Sequence, residues 1–239
     1  MQGLSTVSLV SLFIALLPSC IVLLIMRSWA LKAGQALLAN LRMLVQLLAV
    51  GYVLTFVFAT NNPWIIVSVI ALMMTVSAWI AIRPLRVRTA QVYVIVLLAI
   101  GVSGLLMLAF VTQWVLSIPR WFEPRFVVPI AGMIFANSMN TISLAAERYE
   151  SERARELSHL DARTVAMEAA LIPQINALLA VGLVSLPGMM TGQILSGVDP
   201  LVAVRYQIVV MCMLFGSAGL AAAGYLVMRG RMGPVAAAS

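Results

Sequence analysis

The chain has 239 residues but only one lysine (Lys32), one histidine (His159), two cysteines and eight acidic residues. Each scarcity removes a class of chemistry. Without a lysine inside an apolar run there is no amine for a buried Schiff base. His159 lies in the most charged stretch of the chain, away from any apolar run, so a nucleophile and base pair within a lipid-embedded site is excluded. Cys20 and Cys212 each sit inside an apolar run, where a small-hydrophobe role outweighs a disulfide or metal pair. A Gly-x-x-x-x-Gly-Lys-Ser/Thr phosphate loop is also absent, so the chain does not bind a nucleotide in that way.

What is abundant is apolar: 63% of residues are hydrophobic and only 10% charged. That balance excludes a soluble domain and indicates an all-α, polytopic membrane protein. A span needs about 20 apolar residues to cross roughly 30 Å of hydrocarbon. About seven transmembrane helices are expected, at residues 4–26, 37–59, 64–82, 91–111, 126–146, 169–196 and 201–228. Met1-Gln2-Gly3 lacks a basic leader region, so the first run is expected to be a retained span. The whole chain, residues 1–239, reads as a single transmembrane domain carrying a charged cytoplasmic segment at about 147–168.

The net charge of +7 would suggest nucleic acid in a soluble protein, but here the cations sit between apolar runs. Alternate connections hold Arg27, Lys32, Arg42, Arg83, Arg86, Arg88, Arg148, Arg153, Arg155, Arg163, Arg229 and Arg231, against Arg120, Arg125 and Arg205 on the other side. The positive-inside rule then places the N-terminus outside and the C-terminus in the cytoplasm. Trp114, Trp121 and Phe122 surround a short outer connection as interfacial side chains do.

Residues 182–192 punctuate the sixth run with helix breakers. Non-helical backbone at membrane depth survives only against protein or a wet cavity, so Pro187, Gly188, Met189, Met190 and Gly192 are a candidate gate. The thioethers of Met189 and Met190 suit a soft metal, but fifteen methionines are spread along the chain, so ordinary packing is the better reading. Asn137, Asn140 and Thr141 share one helix face with Met133 a turn above, a candidate pathway lining or a set of interhelical hydrogen bonds. Arg42 and Gln46, also at i and i+4, admit the same two readings, with snorkelling of Arg42 to the interface as a third. Pro173, just before Gln174 and Asn176, is expected to kink or begin the sixth span.

Residues 147–168 hold six of the eight acidic residues and four arginines. The pairs Arg148–Glu152, Glu150–Arg153 and Glu152–Arg155 fall at helical spacing and should extend the fifth span into the cytosol. One reading is a solvated link between spans. The other is a coupling element that docks on a cytoplasmic partner through Arg155, Glu156, Leu157, Leu160 and Val165.

Taken together, Val127-Val128-Pro129-Ile130-Ala131-Gly132-Met133-Ile134, Asn137-Ser138-Met139, residues 182–192, Gly197-Val198-Asp199-Pro200 and Tyr206-Gln207-Ile208 form a recognisable pattern. It resembles the Fet-type iron-export permease family of ABC transporters, whose plant relatives are the aluminium-tolerance permeases. A weaker echo, Arg42 with Gln46-Leu47 and Val50-Gly51-Tyr52-Val53-Leu54, extends the likeness to the second span. The resemblance implies a bacterial inner-membrane permease, not itself an enzyme. It would work as a homodimer with a separate ATPase subunit that holds ATP and Mg, exporting iron or another metal ion. No cofactor is expected in this chain. One departure is that family members carry a Gly-Ala turn in a longer fifth-to-sixth connection, whereas no glycine occurs here between Gly132 and Gly182. A passive channel or an assembly-type membrane protein remains the alternative.

Overall fold

In the computed structural model, residues 8–85 and 88–232 are described. The readings on Met1-Gln2-Gly3, on the start of the first span and on Arg86 lie outside them. The elements are α1 (Leu9–Ser28), α2 (Ala33–Ala59), α3 (Pro63–Ala81), α4 (Ala90–Ala109) continued by a π-helical turn (Phe110–Val115), α5 (Pro124–Arg153), α6 (His159–Ala180), α7 (Gly188–Leu195) and α8 (Pro200–Gly230). No strand occurs among the described residues, only an isolated bridge between Val181 and Ser185.

Helix starts follow local chemistry. Ser8, Asn62, Thr89, Ser158 and Asp199 each accept a hydrogen bond from a first-turn amide, and α3, α5 and α8 carry proline in their first turn, where its missing N–H costs nothing. At α6, Ser158 Oγ accepts from Asp161 N at 3.2 Å and donates to Asp161 Oδ2 at 2.6 Å.

Among the described residues six helices are long and apolar enough to cross a membrane: α1, α2, α3, α4 with its π turn, α5 and α8. The run at 169–196, expected as one span, is divided into the end of α6, an irregular segment and the short α7. Composition supplied the length, but Gly182 and Pro187 stop the helix. Pro173 does not mark a helix start; it lies inside α6, which begins fourteen residues earlier. The charged segment likewise is not one extension of the fifth span: α5 ends at Arg153, and α6 begins at His159.

The chain divides into two compact units, the break falling between Ala59 and Thr60. In the first, α1 and α2 form a hairpin turned at Ala30, which takes a positive φ of 55°. Its apolar side chains, Phe13 and Leu48 among them, are exposed; lipid tails are as apolar as leucine and can cover them.

In the second unit α5 is central, packed on α3, α4, α6 and α8. Its core combines large side chains (Ile100, Ile134, Phe135, Ile142, Tyr225) with fully buried alanines such as Ala145, Ala218 and Ala222. Small residues let helix backbones approach closely. Gly104 is the sharpest case, since a Cβ there would stand 2.7 Å from Phe135 Cε1. Gly104→Ala is therefore expected to destabilise the bundle by about 1–3 kcal/mol, read as a lower unfolding midpoint in detergent.

The turn joining α5 to α6 places Glu156 at φ 67°. A non-glycine residue there costs about 1–2 kcal/mol, so Glu156→Gly should raise the unfolding free energy by close to that amount, read as a higher midpoint. This is where a glycine turn would be expected, and the chain tolerates its absence with strain.

Candidate functional site

Two contacts fix how α5 and α8 run. Asn137 Nδ2 donates to the Leu214 carbonyl at 2.9 Å, and Arg229 Nε donates to Glu150 Oε1 at 2.8 Å. The contacts are thirteen residues apart along α5 and fifteen along α8, in the same sense, so these helices are parallel. In contrast α6 runs against α5: His159 meets Tyr149 (Nδ1 to hydroxyl, 2.9 Å) and Gln174 meets Asn137. Beyond Gln174, α6 has only six residues left, about 9 Å, whereas α5 continues thirteen residues, about 20 Å, from Asn137 to Pro124. The helix thus stops roughly 10 Å short of the end of the bundle.

Asn137 lies twelve residues from Arg125 and eleven from Arg148, about midway between the charged levels at the two ends of α5. At this depth Asn137 and Gln174 form a reciprocal amide pair. Asn137 Nδ2 donates to Gln174 Oε1 (3.1 Å), and Gln174 Nε2 donates to Asn137 Oδ1 (2.9 Å) and to Thr141 Oγ1 (3.1 Å). Thr141 in turn donates to the Asn137 carbonyl at 3.0 Å. With the bond to Leu214, every N–H of both amides is used, which is what low-dielectric surroundings demand.

The pair floors a cleft of about 230 Å³ whose other walls include Val181, Ser185, Pro187, Met211 and Phe215. The polar cluster and the irregular segment therefore belong to one site. Five of its amides are paired locally: Val181 N donates to the Ala177 carbonyl, Gly182 N to that of Ser185, and Leu183, Val184 and Ser185 N to that of Ala180, at 2.8–3.2 Å. Gly182 takes a φ of +82°, with nothing within 4 Å of a Cβ position, so conformation and not space requires glycine there. Gly182→Ala should cost about 1–2 kcal/mol in unfolding experiments while Gly188→Ala, also without a neighbour, costs nothing measurable.

Of the candidate pathway residues, Asn137 and Thr141 meet in the cluster. Asn140 is exposed on α5, and Met133, half-buried, does not line the cleft. Arg42 and Gln46 lie exposed on α2, in the other unit. Of the candidate gate, Pro187 lines the cleft, and Gly188, Met189, Met190 and Gly192 form the body of α7. Gln174 was not among the candidates, and Gly182, which opens the 182–192 stretch, was not named with the gate residues. Gln174 stood next to Pro173 in the sequence, but its partner 37 residues away was not visible.

Beyond the other end of the cluster, α5, α6 and α8 are tied together. Arg229 Nε and Nη2 both lie 2.8 Å from Glu150 Oε1, and the Arg229 guanidinium sits 5.9 Å from the centre of the Tyr149 ring. The His159 imidazole rests on Gly230, where a Cβ would overlap it. Arg148–Glu152 (2.7 Å) and Arg155–Glu152 (3.6 Å) form as the spacing predicts, while Glu150 turns to Arg229 instead of Arg153. Arg155 and Glu156 are exposed in the adjoining turn, Leu157 accepts from Arg153 Nη1 at 2.6 Å, and Leu160 (60% exposed) and half-buried Val165 lie on the first turns of α6.

Long apolar helices with a broken one beside a mid-depth polar cleft define a multi-pass membrane protein of transport type. The chain belongs to the uncharacterised protein family UPF0014, whose profile matches residues 9–163 and 154–232. It is 38% identical over 196 residues to the UPF0014 membrane protein slr1647 of Synechocystis sp. (strain ATCC 27184 / PCC 6803 / Kazusa), 76% of each chain. It is 32% identical over 237 residues to the probable iron export permease protein FetB of Escherichia coli (strain K12), covering 92% of this chain and 90% of that one. The protein ALUMINUM SENSITIVE 3 of Arabidopsis thaliana is 30% identical over 201 residues, 77% of this chain and 72% of its own. No solved structure matches.

Proposed function

We propose that this chain is the permease subunit of an ATP-driven ABC exporter, acting as a homodimer with a separate ATPase. The observation that carries the reading is the reciprocal Asn137–Gln174 pair, closed across a cleft where a crossing helix ends short. Discontinuous helices at mid-depth are where secondary transporters place substrate, and the same physics holds whatever drives the motion. Interhelical hydrogen bonds in lipid are worth about 0.6–2 kcal/mol, small enough for a solute that bonds to the freed amides to offset.

The parallel sense of α5 and α8 supports counting α6 with α7 as one broken crossing, giving seven traverses. The cation bias then puts the Glu150–Arg229 end in the cytoplasm and the N-terminus outside. On that side the turn from Arg155 to Leu157, with Leu160 and Val165, is the docking element for the ATPase, which holds ATP and Mg.

Iron or another metal ion is the proposed cargo, after the name of the Escherichia coli relative. The cleft offers amide and hydroxyl oxygens and the Met211 thioether. Among the described residues no three His, Cys, Asp or Glu are grouped to hold an ion, so passage is transient. Reconstitution into vesicles with a separately encoded ABC-type ATPase is expected to give cargo-stimulated ATP turnover and ATP-dependent flux. Equal flux without nucleotide would establish a passive channel instead.

A further inference from the structure

A second cavity, of about 290 Å³, lies at the end of the bundle away from Glu150 and Arg229 and is built by the π turn. Its walls are almost wholly apolar, with Ile70, Met74, Leu105, Leu108, Ala109 and Val127 among them. Two polar side chains reach it: Thr112 Oγ1 donates to the Leu108 carbonyl at 2.8 Å, and exposed Gln113 donates through Nε2 to Thr112 Oγ1 at 3.3 Å. The rest of the lining favours an apolar occupant. The half-exposed Trp121 forms its rim, its ring edge-on to Phe122 at 5.4 Å.

The chain beside the rim is not neutral. Arg120 adjoins Trp121 in the chain and Arg125 stands two residues before Val127; both are exposed, against a single carboxylate, Glu123, between them. An apolar slot in the flank of a membrane protein, with an indole on its rim and two exposed arginines within two residues of lining residues in the chain, matches a molecule with a hydrocarbon chain and an anionic head. We infer that this cavity seats an acyl chain of an anionic phospholipid from the surrounding bilayer, whose phosphate is held by Arg120 and Arg125. Indole prefers the headgroup level, and an arginine near a membrane surface favours an anionic lipid about fivefold. The π turn has a purpose in this reading: the extra residue widens the last turn of the crossing and opens the slot.

The test uses the full chain in phosphatidylcholine vesicles, with Trp29, Trp64, Trp79 and Trp114 replaced by phenylalanine so that Trp121 alone reports. Phosphatidylglycerol with brominated acyl chains, added at low mole fraction, should quench Trp121 with an apparent affinity about fivefold above brominated phosphatidylcholine for each arginine engaged. Arg120→Gln with Arg125→Gln should bring the two lipids level. Ala109→Phe, at an exposed position on the cavity wall, should fill the slot and remove quenching by both. Equal quenching by both lipids in the chain with both arginines, or undiminished quenching after Ala109→Phe, overturns the assignment. If the reporter chain fails to insert, native mass spectrometry of the unsubstituted protein decides by the same criterion: preferential retention of phosphatidylglycerol supports the site, and no preference refutes it.

Discussion

Truncation of Glu150 to alanine is expected to lower the stability of the bundle by about 3 kcal/mol. The Arg229 side chain is only 4% exposed, and two of its nitrogens share Glu150 Oε1 at 2.8 Å. Removing the carboxylate strips a buried guanidinium of the charge that faces it, and breaking such a pair costs more than the pair contributes. The low end of the usual range applies because Glu150 is itself 38% exposed, so water can partly replace it. Glu150→Gln keeps an acceptor near Arg229 and should recover part of the loss. Unfolding monitored in detergent checks both, and a Glu150→Ala midpoint indistinguishable from that of the parent would remove the junction from any account of the fold. Since the junction also holds His159 on Gly230, the same variant should loosen the start of α6, seen as faster proteolysis near Arg155.

The second large effect is on transport. Gln174→Leu leaves Asn137 short of a donor and an acceptor and Thr141 short of a donor, yet the helices can still pack on the leucine. Stability should fall by only about 1–2 kcal/mol, in line with interhelical bonds in lipid. Flux should fall by about tenfold or more, the equivalent of one lost hydrogen bond of roughly 1.4 kcal/mol to the cargo. Asn140→Leu is the control, because Asn140 is exposed on α5 away from the cluster. It should leave flux unchanged. Parallel losses in both variants, tracking the amount of protein inserted, would reduce the cluster to a structural tie.

Much of this was readable along the chain because lipid imposes simple demands. A run of apolar residues of the right length becomes a helix, since only a helix pairs all its own backbone groups in hydrocarbon. That is why α3, α4 and α8 and the start of α5 fall within a few residues of expectation, and why capping residues and first-turn prolines mark their starts. The break after α6 was legible for the opposite reason, glycine and proline clustered in an apolar run. The fate of Glu150 was not legible. Helical spacing pointed to Arg153, but a buried guanidinium 79 positions away offered a partner with less water to compete.

Sequence alone determined that this is a helical membrane protein, that its sixth run is interrupted and that its cations lie mostly between apolar runs, because length, hydropathy and helix breakers act locally. Tertiary structure alone decided that Asn137 pairs with Gln174 while Asn140 faces away, that the interruption and the amides share one cleft, and that Arg229 locks onto Glu150. Those outcomes depend on which helix faces which, and hydrogen-bond partners 37 or 79 residues apart leave no periodic mark in a chain.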